Sequence, residues 1–205
     1  MIYDDNENNT NGSAAPRGVP LGGSMRIIEL ERSAWDGCPV PVTYDSYGEW
    51  LGEPRREGDA LSLRLVCRRA PRAHFEYGYA LFSSVLAAPR VLLLTEGNET
   101  RALIELSAEP DGRLRIAFLY VSESYRRLGY GSLLMTKARE ICRREHCRGI
   151  VLETDSRNSG AVAFFLRQGL VLVGCDLTAC PDGVSRLILG DGPQRSPDAG
   201  RCGEG

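Results

Sequence analysis

Arg126-Arg127-Leu128-Gly129-Tyr130-Gly131 sets two cations and two glycines between a strand-like run and a helix-like one. Upstream, Leu114 to Val121 is rich in β-branched and aromatic residues. Downstream of Ser132, apolar residues recur at Leu133, Leu134, Ala138, Ile141 and Cys142 with a helical period. A strand that turns through glycines into a helix aims several backbone N–H groups at one spot, and the helix dipole adds about half a positive charge there. Gly129 and Gly131 lack a Cβ, so the backbone can take positive φ and come close to a ligand. The chemistry this favours is holding a phosphate. A tight connection with solvated arginines uses the same residue types, and the order of the surrounding elements decides between the two.

Two carboxylates stand inside apolar runs, Glu105 in Ala102–Leu106 and Glu153 in Ile150–Thr154. A charge in such a run needs a partner or a task. Alternation puts Val151, Glu153 and Asp155 on one strand face and Ile150, Leu152 and Thr154 on the other. Cys142, His146 and Cys147 have helical spacing, but Cys147 turns about 100° from the face of the other two. No second pair with ligand spacing follows, so no metal is expected. The two histidines, His74 and His146, have no triad partners in sequence. Arg64, Arg68, Arg69 and Arg72 read as a solvated face.

Around these residues the elements fall in a clear order from Val91 onward. Val91–Thr95, Ala102–Leu106 and Leu114–Val121 are predicted strands, turned at Gly97-Asn98 and Pro110-Asp111-Gly112, and form an antiparallel meander. A helix of roughly four turns follows and ends at Arg148-Gly149, before a strand over Ile150–Thr154. Asn158 or Ser159 caps a helix over Gly160–Gln168, which Gly169 stops. Leu170–Val173 and Val184–Leu189 are closing strands, with a turn at Pro181-Asp182-Gly183. Before Val91 the pattern is weaker. Arg26–Leu30 and Leu61–Val66 read as strands, Tyr44–Pro54 as loop with short helices, and Phe75–Leu86 as helix or strand.

A hydrophobic fraction of 42% supplies one core, flanked by an Asn/Gly/Pro-rich start and a Gly/Pro-rich end. The expected organisation is a disordered extension over 1–24, one domain over 25–189 and a flexible tail over 190–205. Met25 is also a possible translation start. The formal net charge of -2 excludes a basic nucleic-acid footprint. No apolar run approaches the ~20 residues that span a bilayer, so no membrane partner is expected. Met1–Asp5 has no signal-peptide character, and the expected location is cytoplasmic, with the seven cysteines reduced.

Leu119-Tyr120-Val121 followed by Tyr125–Gly131, then Asn158, Ala161, Phe164-Phe165 and Gly169-Leu170, resembles the GNAT superfamily of acyl-CoA-dependent N-acyltransferases. The likeness runs from about Val91 to Leu189. Gly149–Asp155 and Val173–Asp176 look most like streptothricin acetyltransferases. Two positions depart from that subfamily: Ala117 and Phe118 stand where its members carry an acidic pair, and the last strand, Ser185–Leu189, is not aromatic. The resemblance implies a mixed α/β fold with a central, mostly antiparallel sheet, splayed at the cofactor and flanked by helices. It implies acetyl-CoA as co-substrate and a small-molecule or peptide amine as acceptor, in a monomer or homodimer.

By the same resemblance, the backbone of Arg127, Leu128, Gly129, Tyr130, Gly131 and Ser132 cradles the pyrophosphate, and Arg126 and Arg127 screen its charge. The strand ending at Leu119, Tyr120 and Val121 splays from Ile150–Thr154 to receive pantetheine and polarise the thioester. Asn158 contacts the arm or caps its helix; Phe164 packs beside the arm or in the core. Glu105 and Glu153 are the candidate bases. The tyrosine that often serves as acid is Phe165 here, which leaves Tyr120, Tyr125 or water for that task, or impaired catalysis. The acceptor is then a primary amine, of a cationic antibiotic, a protein N-terminus or a lysine, and an acyl-CoA-binding module without catalysis is the alternative.

Overall fold

The computed structural model describes residues 24–83, 85–176 and 185–192. The chain opens with strand β1 (Met25–Glu29) and a single-turn helix α1 (Arg32–Trp35). Two long strands follow, β2 (Pro39–Glu57) and β3 (Ala60–Ala80). The meander is β4 (Ala87–Glu96), β5 (Glu99–Ala108) and β6 (Leu114–Val121). A 3-10 turn at Glu123–Tyr125 leads into helix α2 (Tyr130–Arg144). Then come β7 (Ile150–Asp155), helix α3 (Ser159–Arg167), β8 (Val171–Asp176) and β9 (Arg186–Gly190).

Seven strands form one sheet in the order β1-β4-β5-β6-β7-β9-β8, while β2 and β3 form a separate two-stranded ribbon. All pairs are antiparallel except β6 with β7. The glycine turns do what the sequence asks: Gly97 and Gly112 take φ of +61° and +82°. The mixed, mostly antiparallel sheet with flanking helices matches the expected fold. No helix among the described residues is long and apolar enough to cross a membrane.

The sheet is covered on both faces. Ile104, Leu106, Leu119 and Val121 pack with Leu134, Met135 and Ile141 of α2 and Val162 and Phe165 of α3. On the other face Leu93, Leu103 and Phe118 pack with Val42 and Tyr44 of the ribbon and with Leu81 and Phe82. The two faces alternate along β5, as period two requires. β6 breaks that alternation. Glu105 pairs with Phe118 but Leu106 pairs with Ile116, so Ala117 is an extra residue in the strand. Pairing of β6 with β7 covers only Leu114–Ile116 against Ile150–Leu152. The bulge therefore sits where β6 leaves β7, and a bulge bends its strand. This is the physical origin of the splay.

In the weakly patterned region the strands read at Arg26–Leu30 and Leu61–Val66 overlap β1 and lie within β3, and one segment departs from expectation. Tyr44–Pro54, read as loop with short helices, lies wholly within β2, and Phe75–Ala80 is the end of β3. The glycines that suggest loop are contact points. A Cβ on Gly48 would lie 2.8 Å from the Arg68 carbonyl oxygen, and one on Gly52 would lie 2.7 Å from Cys175 Sγ. Other boundaries move slightly. α2 ends at Arg144, before Arg148-Gly149; the chain reverses where His146 takes a φ of +55° and the Cys147 N–H donates to the Cys142 carbonyl at 2.9 Å. β9 runs to Gly190, one residue beyond the expected domain, and the Asp191 carboxylate accepts from the Ile150 N–H at 2.7 Å. The extension over 1–23, most of the tail, and the Pro181-Asp182-Gly183 turn lie outside the described residues.

Candidate active site

The connection from β6 to α2 is built from two left-handed residues, Arg127 at φ +65° and Gly129 at φ +89°. Gly129 is the N-cap of α2 and offers no capping side chain. The first amides of α2, on Tyr130, Gly131 and Ser132, have no intrahelical acceptor. They border a cleft of about 170 Å³ whose walls include Val121, Arg127, Phe164 and Arg167. The two glycines have different tasks. Gly129 serves backbone conformation, and a Cβ there would meet nothing within 4 Å. Gly131 serves space, since its Cβ would come within 3.2 Å of the Phe164 ring. The positive φ expected at both is needed only at Gly129.

The other loop residues divide between ligand and scaffold. The Arg126 guanidinium donates to the Val121 carbonyl at 3.2 Å and the Thr43 carbonyl at 3.0 Å, tying the loop to β6 and to the ribbon. Beside the expected task of screening phosphate, the structure gives this side chain a structural one. Arg127 is exposed and lines the cleft, while Leu128 is exposed and does not line it. Tyr130 is buried; its hydroxyl donates to Glu96 at 3.3 Å and its ring meets Tyr125 edge-on. The Ser132 hydroxyl accepts from the Gln168 amide at 3.0 Å. Arg167 and Gln168 were not singled out in sequence. They stand three and four residues after Phe164 and so share its helical face, which is the signal that finds them.

Beyond the bulge, Leu119 and Val121 are buried on the helix side and Tyr120 faces the ribbon side, its ring 6.3 Å from Phe118. At the far side of the wedge, Asn158 is wholly buried. Its Oδ1 accepts from the Ala161 N–H at 3.1 Å, which makes it the α3 cap. Its Nδ2 is buried with no partner among the described residues, as is the Thr154 hydroxyl. The cap role therefore occupies only the Oδ1 end of the Asn158 side chain. Phe164 is both core and wall: it is 6% exposed, packs edge-on against Phe165, and lines the cleft.

The two candidate bases have different surroundings. Glu105 is 0% exposed, on the ribbon side of the sheet. One oxygen accepts from the Tyr79 hydroxyl and the other from the Phe82 N–H, each at 2.6 Å. Burial pushes its carboxyl above the usual range, opposed by the Tyr79 and Phe82 hydrogen bonds. Burial, then the Glu105 hydrogen bond, holds the Tyr79 hydroxyl above its own range, and the Tyr79 ring stacks on Phe118 at 3.9 Å. Both Glu105 oxygens are thus occupied in a closed site that fixes the exit of the ribbon. Glu153 is partly exposed, next to the point where β6 and β7 separate; its oxygens pair with Arg115 at 3.2 Å and Arg186 at 3.4 Å. Tyr125 donates to Glu99 at 3.1 Å and carries Arg101 over its ring.

An amide-lined helix start with cations at its rim suits a pyrophosphate. The strand edge beyond Ile116, which has no β7 partner, and the Asn158 amide nitrogen have the chemistry of an amide-bearing arm's partners. The residues present therefore fit an acyl-CoA.

Comparison with known proteins agrees. A putative streptothricin acetyltransferase from Bacillus anthracis str. Ames, solved in complex with acetyl coenzyme A, matches with a TM-score of 0.65 at 19% identity, over 82% of this chain and 98% of that one. Nourseothricin acetyltransferase matches with a TM-score of 0.58 at 19% identity, over 82% of this chain and 97% of that one. These likenesses are of fold. Among curated proteins, comparison of sequence found no match. A family model described as the Acetyltransferase (GNAT) family matches residues 59–170, more than half of the chain. The chain belongs to the GNAT family of acetyltransferases.

Proposed function

We propose that this enzyme moves an acetyl group from acetyl-CoA to a primary amine of a small cationic molecule, by direct attack within one ternary complex. The observation that carries the proposal is the wedge. β6 bulges at Ala117, leaves β7 after Ile116, and opens toward the amide-lined start of α2. Acetyl-CoA supplies the activated acetyl thioester. The first-turn amides of α2, with Arg127 and Arg167 at the cleft, hold its phosphates. The edge of β6 at Leu119–Val121, which has no β7 partner, pairs with the arm as an added strand would and presents an N–H to the thioester oxygen. Asn158 Nδ2 donates to the arm, and Phe164 closes the wall beside it.

Proton handling falls to the ribbon side. Glu153 takes the proton of the attacking amine, because it keeps solvent contact beside the wedge while Glu105 is closed off. Tyr120 returns a proton to the departing sulfur, since Phe165 has no hydroxyl and is buried, and Tyr125 is bound to Glu99. Glu105 acts through Tyr79 and Phe82 to position the ribbon.

The formal net charge of -2 suits a cationic acceptor. The similar structures are named for streptothricin and nourseothricin acetylation, which supports an antibiotic of that kind as the first acceptor to test. One observation, the missing hydroxyl at Phe165, favours a second reading as a catalytically impaired acyl-CoA-binding module. The test is incubation with acetyl-CoA and streptothricin, read by thiol release and by mass spectrometry of the product. Acetylated streptothricin is expected. Transfer to peptide α-amines or lysines alone would reassign the acceptor to protein. Acetyl-CoA binding without transfer to any amine would favour the module.

A further inference from the structure

We infer that Cys142 and Cys147, at the C-terminal end of α2, form an oxidisable dithiol that a hydroperoxide converts to a disulfide. The inference is independent of the acyl-CoA reading. On a continuing helix Cys147 would turn away from Cys142. The helix stops first, and the stop brings the two together.

His146 takes the left-handed φ of +55°. The Cys147 N–H donates to the Cys142 carbonyl at 2.9 Å, and the His146 N–H donates to the Arg143 carbonyl at 3.3 Å. This pair of bonds is a Schellman stop, which folds the residue after the left-handed one onto the last helical turn. The covalent bonds at either end of the 2.9 Å contact add about 2.4 Å and about 1.5 Å, so the two Cα atoms lie within about 6.8 Å of each other. That is inside the span a disulfide bridges. The side chains meet as well. The Cys142 thiol donates to the Cys147 carbonyl at 3.9 Å. Burial, then the charge and the hydrogen bond of the Cys147 thiol, push the Cys142 thiol up to about 11. Both thiols are free.

Their exposures assign the order of events. Cys142 is buried in the helix-side core, 7% exposed. Cys147 is partly exposed and lines a second cleft of about 340 Å³, with Arg113, Glu145 and His146 among its walls. A hydroperoxide entering there meets Cys147 first. The Cys147 sulfur takes one peroxide oxygen, the O–O bond breaks, and a sulfenic acid forms. With hydrogen peroxide, the other oxygen leaves as water with the displaced proton. The Cys142 sulfur then displaces the hydroxyl from Cys147. The S–S bond forms, the S–O bond breaks, and hydroxide leaves as water with the Cys142 proton. Two thiols lose two electrons and one peroxide is reduced.

The test treats the reduced full chain with a few equivalents of hydrogen peroxide, blocks remaining thiols and digests with trypsin without reductant. Cleavage after Arg143 puts Cys142 and Cys147 on separate peptides. Those two peptides are expected to be joined, and dithiothreitol to part them. The oxidised protein should melt several degrees above the reduced one, because the bond closes a short loop in the unfolded chain. In Cys142→Ser, which lacks the resolving thiol, dimedone should trap a sulfenic acid on Cys147. The inference is overturned if both thiols stay reduced, if Cys147 passes to sulfinic acid with Cys142 untouched, or if either joins a different cysteine. The joined peptides come from the wild type, so the result does not depend on the variant folding.

Discussion

Glu105 and Glu153 show how far a residue's type can mislead without its surroundings. Each is a carboxylate in an apolar strand, and sequence treats them as equals. Glu105 is closed in by Tyr79 and Phe82, while Glu153 keeps solvent and two arginines. Glu105→Gln is expected to retain most activity, because an amide oxygen still accepts from the Phe82 N–H and the Tyr79 hydroxyl can turn to accept. Glu105→Ala leaves both donors buried and unmatched, at a cost on the order of 1–3 kcal/mol each. Chemical denaturation of the two variants measures this directly. The pH dependence has a definite sign. The folded-state pKa of Glu105 is raised above its ordinary value of 4.5, so its contribution is fully present below that pH and is lost as pH rises through the folded value. The melting temperature of Glu105→Gln should therefore gain on the wild type as pH increases above 4.5. Glu153→Gln is expected to lower kcat at least tenfold with little change in acetyl-CoA affinity; general-base contributions are typically about 10²–10⁴-fold. Unchanged kcat would remove Glu153 from the chemistry.

At the scale of elements, the meander, α2 and α3 were legible because each carries its own local signal. Alternation marks β4 to β6, a 3.6-residue period marks α2, and Asn158 and Gly169 bracket α3. Of the ribbon, β3 was legible in part through Leu61–Val66, while β2 was not, because its signal lies in contacts with distant residues. Gly48 and Gly52 read as loop-formers locally, yet they are small to admit Arg68 and Cys175. Gly52→Ala is expected to lift the ribbon from β8 and to destabilise the fold by about 1–3 kcal/mol, readable as an earlier unfolding midpoint in urea. The bulge at Ala117 was equally hidden. It depends on pairing register across β5 and β6, and no residue type announces it. The splay was expected by resemblance, and the bulge gives it a mechanical cause.

For the whole molecule, two sheet faces are assigned to two tasks. The helix side, with α2 and α3, builds the cleft proposed to hold the cofactor; the ribbon side carries the aromatic and acidic groups proposed to meet the acceptor. The half proposed for the cofactor rests on one contiguous turn and one helix start, which is why sequence points to it. The half proposed for the acceptor was legible only in part: Glu153 and Tyr120 stand out in sequence, while β2 of the ribbon reads locally as loop. Because the proposed cofactor site spans β6, α2 and α3, binding should stabilise the domain as a unit. CoA at about a hundredfold over its Kd adds about 2.7 kcal/mol, and a domain of this size should then melt about 5–10 °C higher. Differential scanning calorimetry with and without CoA reads the shift.

The central claim, an acyl-CoA site at the start of α2, is tested most directly by calorimetric titration of acetyl-CoA into the wild type and Gly129→Ala. A side chain at φ +89° costs about 1–2 kcal/mol and distorts the amide array without filling the cleft. The expected result is single-site micromolar binding by the wild type and affinity about tenfold lower in the variant. Absence of binding at millimolar acetyl-CoA, or identical affinity in both proteins, would contradict the account.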